Sequence, residues 1–207
     1  MSSATTYIDV NAPVSDAIRS QIAGSDNNAL IVRLMFTTNH LSRWLTPIHD
    51  PNRLERSLYR GEPTAKDLVI ALRNEEQRVY PRLYLIATQT RADLDTLPEW
   101  EENPQTVERD TVQPTIVLMA QFRRLRQSTC GLLRSLPDDA WGLVGRSRRE
   151  PDVTIRQLAE RLAVTDYRYL RALDQTLDQV GAREGLAEIQ KTHLDELLTL
   201  VPEHLSL

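Results

Sequence analysis

The chain has 207 residues, 41% of them hydrophobic and 26% charged, with a formal net charge of −4. That length suits one domain with a sizeable core, and the acidic balance supplies no field that would draw it to nucleic acid or anionic lipid. A single cysteine, Cys130, excludes an internal disulfide framework and a multi-cysteine metal site.

Residues 1–27 read as a polar segment with one short helix, opened by Pro13, Ser15 and Asp16 and ended at Gly24. The stretch MSSATTYIDVNAPVS has neither the basic nor the apolar region of a signal peptide, and no apolar run reaches the roughly 20 residues that span a bilayer. No membrane or nucleic-acid partner is therefore expected, and a soluble cytoplasmic setting is the default.

Asn27 or Asn28 caps the next segment, in which Leu30, Leu34, Thr37, Leu41, Trp44 and Leu45 form a helical stripe that Pro47 stops. After a loop containing Pro51, Gly61 and Pro63, Thr64 caps a second long helix with Leu68, Leu72, Val79, Leu83 and Ile86 inward. Pro81 lies inside that pattern and predicts a kink near Val79 and Tyr80. Residues 91–113 are acidic, broken by Pro98 and Pro104, and read as a long crossover loop. Thr115 to Leu136 makes the third long helix, and a connection holding Trp141 leads to the fourth, residues 152–180. Leu186, Ile189, Leu194, Leu197 and Leu198 mark a further amphipathic helix in residues 181–207, whose apolar stripe folds back on the bundle or meets a second subunit. No strand-like alternation of useful length is present. The fold class is all-α, a four-helix bundle over residues 28–180 with short helices at each end and a topology other than up-down-up-down.

The fourth helix carries the clearest polar interruption: Thr165, Asp166 and Tyr169 stand where an ordinary core stripe has Leu, Ile or Ala. Polar groups facing a core need hydrogen bonds or must line a pocket. Arg161, Thr165 and Tyr169 lie on successive turns and offer a guanidinium, a hydroxyl and a phenol to a small anionic or carbonyl-bearing ligand. Glu76 falls on the second helix's stripe, and His40 stands beside Leu41 on the first. His40, Glu76 and Asp166 form a conceivable metal-ligand set. The plainer alternative pairs Glu76 and Asp166 with arginines such as Arg73, Arg82, Arg124 or Arg161, and lets Tyr169 fill space and hydrogen-bond one of the carboxylates. Arg123, Arg124 and Arg126, and Arg146, Arg148 and Arg149, read as solvated basic faces. Cys130 reads as a small buried thiol.

The stretches GEPTAKDLVIALRNEEQRVYPRLYLI, FRRLRQSTCGLLRSLPDDAW and VTIRQLAERLAVTDYRYLRAL resemble the second, third and fourth helices of the DinB-like superfamily. The likeness covers residues 28–180 and implies a four-helix bundle related to metalloenzymes and thiol-dependent transferases that commonly form homodimers. It also implies a divalent metal held by one His on the second helix and two His, four apart, on the fourth. The matching positions here are Ala71, Thr165 and Tyr169, with Arg161 in place of a further frequent His and Asn74 where Asp is common. Imidazole is missing from every one of these positions, so no metal or other cofactor is assigned.

The resulting expectation is a metal-independent small-molecule-binding protein or enzyme, with Arg161, Thr165, Tyr169 and Glu76 lining a pocket, joined by Asn74, Asp166 and His40. Its ligand would be anionic or thiol-related, and no residue is given a catalytic role. The alternatives are a dimeric interaction module with a filled pocket, or a divergent metalloenzyme using His40, Glu76 and Asp166.

Overall fold

A computed structural model describes residues 7–101 and 103–184. The amphipathic segment from Leu186 onward lies outside the described residues. Four long helices dominate: α2 (Asn27–Leu45), α4 (Ala65–Thr88), α6 (Thr115–Ser135) and α7 (Ile155–Gln179). Shorter helices α1 (Asp16–Gly24), α3 (Pro51–Leu54) and α5 (Pro104–Val112) lie on the connections.

Local chemistry sets the helix starts. Thr64 and Asp67 form a full capping box at α4, as Thr154 and Gln157 do at α7. The cap of α2 is Asp26, which accepts from Ala29 N, one residue earlier than the two asparagines suggested. At the end of α7, Gly181 takes φ +62, and the amides of Gly181 and Ala182 reach back to Asp178 and Leu177 carbonyls. Only a residue at ease in the left-handed region closes a helix this way. Helix α4 runs on through Pro81, whose ring sits on an exposed face.

The crossover is more ordered than its composition suggests. It holds a two-residue strand β1 (Ala92–Asp93) and helix α5, whose start is set by the Asn103 side chain and Pro104 at the first turn. Strand β1 pairs in parallel with β2 (Val144–Arg146), which pairs antiparallel with β3 (Val153–Thr154). These strands are too short to show as alternation in sequence. They tie the crossover to the loop before α7, and Gly145 makes that possible: a Cβ there would meet Ile86 side-chain atoms at 2.7 Å.

The core has two clusters, and their membership gives the topology. One joins Leu41, Trp44 and Leu45 of α2 to Leu68 and Leu72 of α4, Leu118 and Phe122 of α6, and Leu173 and Leu177 of α7. The other joins Leu30 and Leu34 to Leu83 and Ile86, Leu133, and Leu158 and Leu162. The first half of α2 thus lies level with the first half of α7 and with the second halves of α4 and α6. Helices α2 and α7 run one way, α4 and α6 the other. The order is up-down-down-up, so α4 and α6 need the long crossover between them. Both α2 and α4 pack on α6 and on α7.

Candidate functional site

Between the two apolar clusters lies one polar layer, to which every long helix contributes: Thr37 from α2, Glu76 from α4, Arg126 and Thr129 from α6, Asp166 from α7. All five are buried, Glu76 and Thr129 completely. The Arg126 guanidinium is the centre. Its Nε donates to Glu76 Oε1, and Nη1 and Nη2 form a fork on the two oxygens of Asp166. Nη1 also donates to the Leu34 carbonyl at 2.7 Å. Thr129 donates to Glu76 Oε2 at 2.5 Å and Thr37 to Asp166 Oδ2 at 2.6 Å, so each carboxylate oxygen has a donor. The guanidinium also lies 4.9 Å from the centre of the Phe122 ring.

Burial alone pushes the Arg126 pKa down, but Asp166 and Glu76 outweigh it, and the net shift is upward. The guanidinium stays charged at any working pH. A buried ion group of this kind persists only when its hydrogen bonds are filled, as they are here.

Glu76 and Asp166 are therefore brought together as the plainer alternative supposed, but through Arg126, not through the arginines first considered. Arg126 is 1% exposed and belongs to no solvated basic face, whereas its neighbours Arg123 and Arg124 are exposed. Arg73 instead forms a second buried pair with Asp110 of α5, held by two parallel hydrogen bonds. Asn74 accepts from the same guanidinium at 2.6 and 3.2 Å, and Gln121 at 3.1 Å. Asn74 thus serves the staple that fixes the crossover helix.

The other expected site residues lie outside this polar layer. Arg161 is exposed on the outer face of α7. Thr165, Tyr169 and Ala71 are half-buried, and Tyr169 packs against the cluster containing Leu72 and Leu170. Tyr169 hydrogen-bonds neither Glu76 nor Asp166, whose oxygens are taken by Arg126, Thr37 and Thr129. Burial, then the charge of Glu75, raises the Tyr169 phenol above its ordinary value, which does not suit a general acid at neutral pH. His40 is buried between Phe36 and Trp44, with ring centroids 6.2 and 5.6 Å away, and its Nδ1 has no hydrogen-bond partner. Burial, helped by the positive charge of Arg43, pushes its pKa down to about 4. Among the described residues no three His, Cys, Asp or Glu side chains gather as a metal-ligand set, so His40 does not join Glu76 and Asp166.

Cys130 sits beside the polar layer, 2% exposed. Burial pushes its thiol up to about 11, against the lowering effect of nearby Arg126. It is an inert core thiol, not a nucleophile.

A cleft of about 340 Å³ opens elsewhere, on the outer face of α4. Gln77, Pro81 and Arg82 border it on the helix, Leu97 and Trp100 on the crossover, and Arg149 on the loop before α7. Asp95 fixes this corner: its carboxylate accepts from the Ser147 hydroxyl at 2.6 Å and the Arg148 amide at 2.9 Å. The Ser147 hydrogen bond, then that of Arg148, holds the Asp95 carboxyl below its usual value. Sequence reasoning missed the cleft. A smaller groove of about 190 Å³ runs between α2 and α6, bordered by Leu41, Ile116, Met119 and Phe122.

No protein-family model and no curated protein matches this sequence. Among solved structures the fold matches YfiT from Bacillus subtilis, a probable metal-dependent hydrolase with an unusual four-helix bundle topology. The TM-score is 0.63 at 13% identity, over 84% of this chain and 94% of that one. The chain is built on a YfiT-like bundle. At that identity the likeness speaks for the fold alone, and it agrees with the bundle that the DinB-like resemblance implied. No helix among the described residues is long and apolar enough to cross a membrane.

Proposed function

We propose that this chain is a metal-independent, small-molecule-binding member of the DinB-like bundles, whose interior polar position has become a structural ion layer. One observation carries this: Glu76 and Asp166, the buried carboxylates of α4 and α7, are saturated by Arg126, Thr37 and Thr129. A divalent ion would have to displace a buried guanidinium to reach them, leaving that charge unpaired. Ala71, Thr165 and Tyr169 supply no imidazole, and neither a hydroxyl nor a neutral phenol readily replaces one on a transition metal. The residues present therefore do not suit the metal chemistry of the relatives. Binding belongs instead to the cleft on α4, whose volume falls in the range of small-molecule sites.

The test is thermal-shift screening of the full chain against small carboxylates, amines, amino acids and thiols, with and without added Zn²⁺ or Ni²⁺. Stabilisation by an organic ligand, independent of metal, is the expected result. A screen with no stabilising compound, or one in which stabilisation requires the metal, overturns the proposal.

A second role is favoured by a separate feature. Val112, Ile116 and Val117, at the turn from α5 into α6, are 78, 56 and 39% exposed, and Ile116 borders the α2–α6 groove. An apolar strip of this kind suits pairing with a second copy of the chain. A dimer in light scattering that Ile116→Glu converts to a monomer supports this, and a monomeric wild-type chain at high concentration rejects it.

A further inference from the structure

Helices α2 and α6, which pack side by side, differ in charge from the rest of the chain. Together they carry six arginines, two from α2 and four from α6, and no aspartate or glutamate. Helices α4 and α7 each mix both signs, and the whole chain has a net charge of −4. Arg126 is spent on the buried layer, but Arg123, Arg124 and Arg134 stand exposed on α6, with no acid on either helix to pair with them. Arg134 reaches across the seam to the Met35 sulfur of α2, a weak acceptor that a carboxylate readily replaces. Positive charge is gathered on this face of an otherwise acidic protein.

The same face is apolar along its seam. Leu41, Met119 and Phe122, all buried, form the floor of the groove of about 190 Å³, and Ile116 and Ala120 are exposed at its edge. Gln127 and Gly131 continue the Ala120 line along the exposed side of α6, about two turns and then one further on. Nothing in the fold itself calls for Gly131: a Cβ there meets no atom within 4 Å, and glycine inside a helix is less stable than alanine. What glycine offers at an exposed position in mid-helix is close approach to the backbone from outside.

An apolar line flanked by cations along two antiparallel helices complements an amphipathic helix with acids beside its apolar stripe. A second copy laid symmetrically along the face would set arginine against arginine, so self-pairing belongs to the apolar end at Val112, Ile116 and Val117. A nucleic acid would use the arginines and leave the apolar floor unmet.

We propose that the α2–α6 face docks an acidic amphipathic helix of another polypeptide, its apolar side chains in the groove over Met119 and Phe122 and its carboxylates on Arg123, Arg124 and Arg134. This docking is independent of the small-molecule cleft and of pairing between copies.

The test is calorimetric titration of the full chain with an acetylated, amidated model peptide in which leucine recurs at i, i+3, i+4 and i+7 and glutamate and alanine fill the other positions. Two comparators keep its length: lysine replaces every glutamate in one, and serine every leucine in the other. The glutamate peptide binds at one equivalent per chain. Either comparator binds about tenfold more weakly, through lost ion pairs in one case and lost apolar burial in the other. Added salt weakens the glutamate peptide. Arg123→Glu with Arg124→Glu reverses the preference between the glutamate and lysine peptides, and Gly131→Leu blocks the glutamate peptide. Circular dichroism spectra of these variants match the wild type, because positions 123, 124 and 131 are exposed. No binding of the glutamate peptide, equal binding of the lysine peptide, or a preference that the double reversal leaves unchanged overturns the proposal. Tighter binding of a short DNA duplex than of the glutamate peptide overturns it as well.

Discussion

Arg126 and Asp166 meet in a two-pronged ion pair at mid-height of the bundle, each prong of the guanidinium on one carboxylate oxygen. Glu76 closes the third side, so one cation from α6 holds acids from α4 and α7 at once. The layer that looked in sequence like an interrupted core is the point where all four helices are registered. A slip of one turn in any helix would bury a charge against leucine, so the layer fixes register as well as contributing contacts.

This layer predicts an asymmetry between partial and complete replacement. Arg126→Met leaves Glu76 and Asp166 buried without a cation and destabilises by about 3–5 kcal/mol in urea unfolding. Replacing the set together, Arg126→Met with Glu76→Leu and Asp166→Leu, recovers most of that loss, because no charge is left behind. A triple variant as unstable as Arg126→Met alone would mean that the layer's role is packing and not charge.

The Arg73–Asp110 pair predicts that the crossover is part of the folded unit. Arg73 is 1% and Asp110 3% exposed. Asp110→Ala strands the guanidinium and costs about 3 kcal/mol, with amide exchange rising first in α5. Unchanged protection of residues 104–112 would contradict the staple.

How much of this was legible follows residue by residue. The four helices, the Thr64 cap and the polar interruption at Asp166 all lie in spacing that sequence displays directly. Arg126 was hidden by its neighbours, since Arg123, Arg124 and Arg126 read together as a solvated run. Its spacing betrays it: Arg126 lies four after buried Phe122 and three before buried Thr129, on the inward line. Helix α5 was announced by Asn103 and Pro104 and passed over for the acidic composition around it. The cleft had no signal of its own. It is made by three segments remote in sequence, and strands of two or three residues bring them together.

His40 predicts a specific pH response. Its pKa in the fold, about 4, is below its ordinary 6.5, so the unfolded chain takes up the proton first. Stability from this group is complete above pH 6.5, declines as pH falls towards 4, and levels off below it. The slope is at most about 1.4 kcal/mol per pH unit. The wild type minus His40→Phe difference in unfolding free energy isolates this term from the carboxylates. A flat difference between pH 6.5 and 4 would contradict the burial of the imidazole.

Cys130 predicts slow thiol chemistry. With its thiol raised to about 11 and 2% exposed, labelling by a disulfide reagent at pH 8 waits on opening of the bundle. Labelling accelerates with denaturant and in Arg126→Met. Rapid labelling of the native wild type would place the thiol at the surface.

The central claim is that the bundle's buried acids serve Arg126 and not a metal. Its most direct test is calorimetric titration of chelator-treated protein with Zn²⁺ and Ni²⁺, with elemental analysis of protein purified without chelator. No stoichiometric uptake of either ion, and no bound equivalent after purification, is the predicted result. One equivalent of metal that is lost in Glu76→Gln or Asp166→Asn would contradict it.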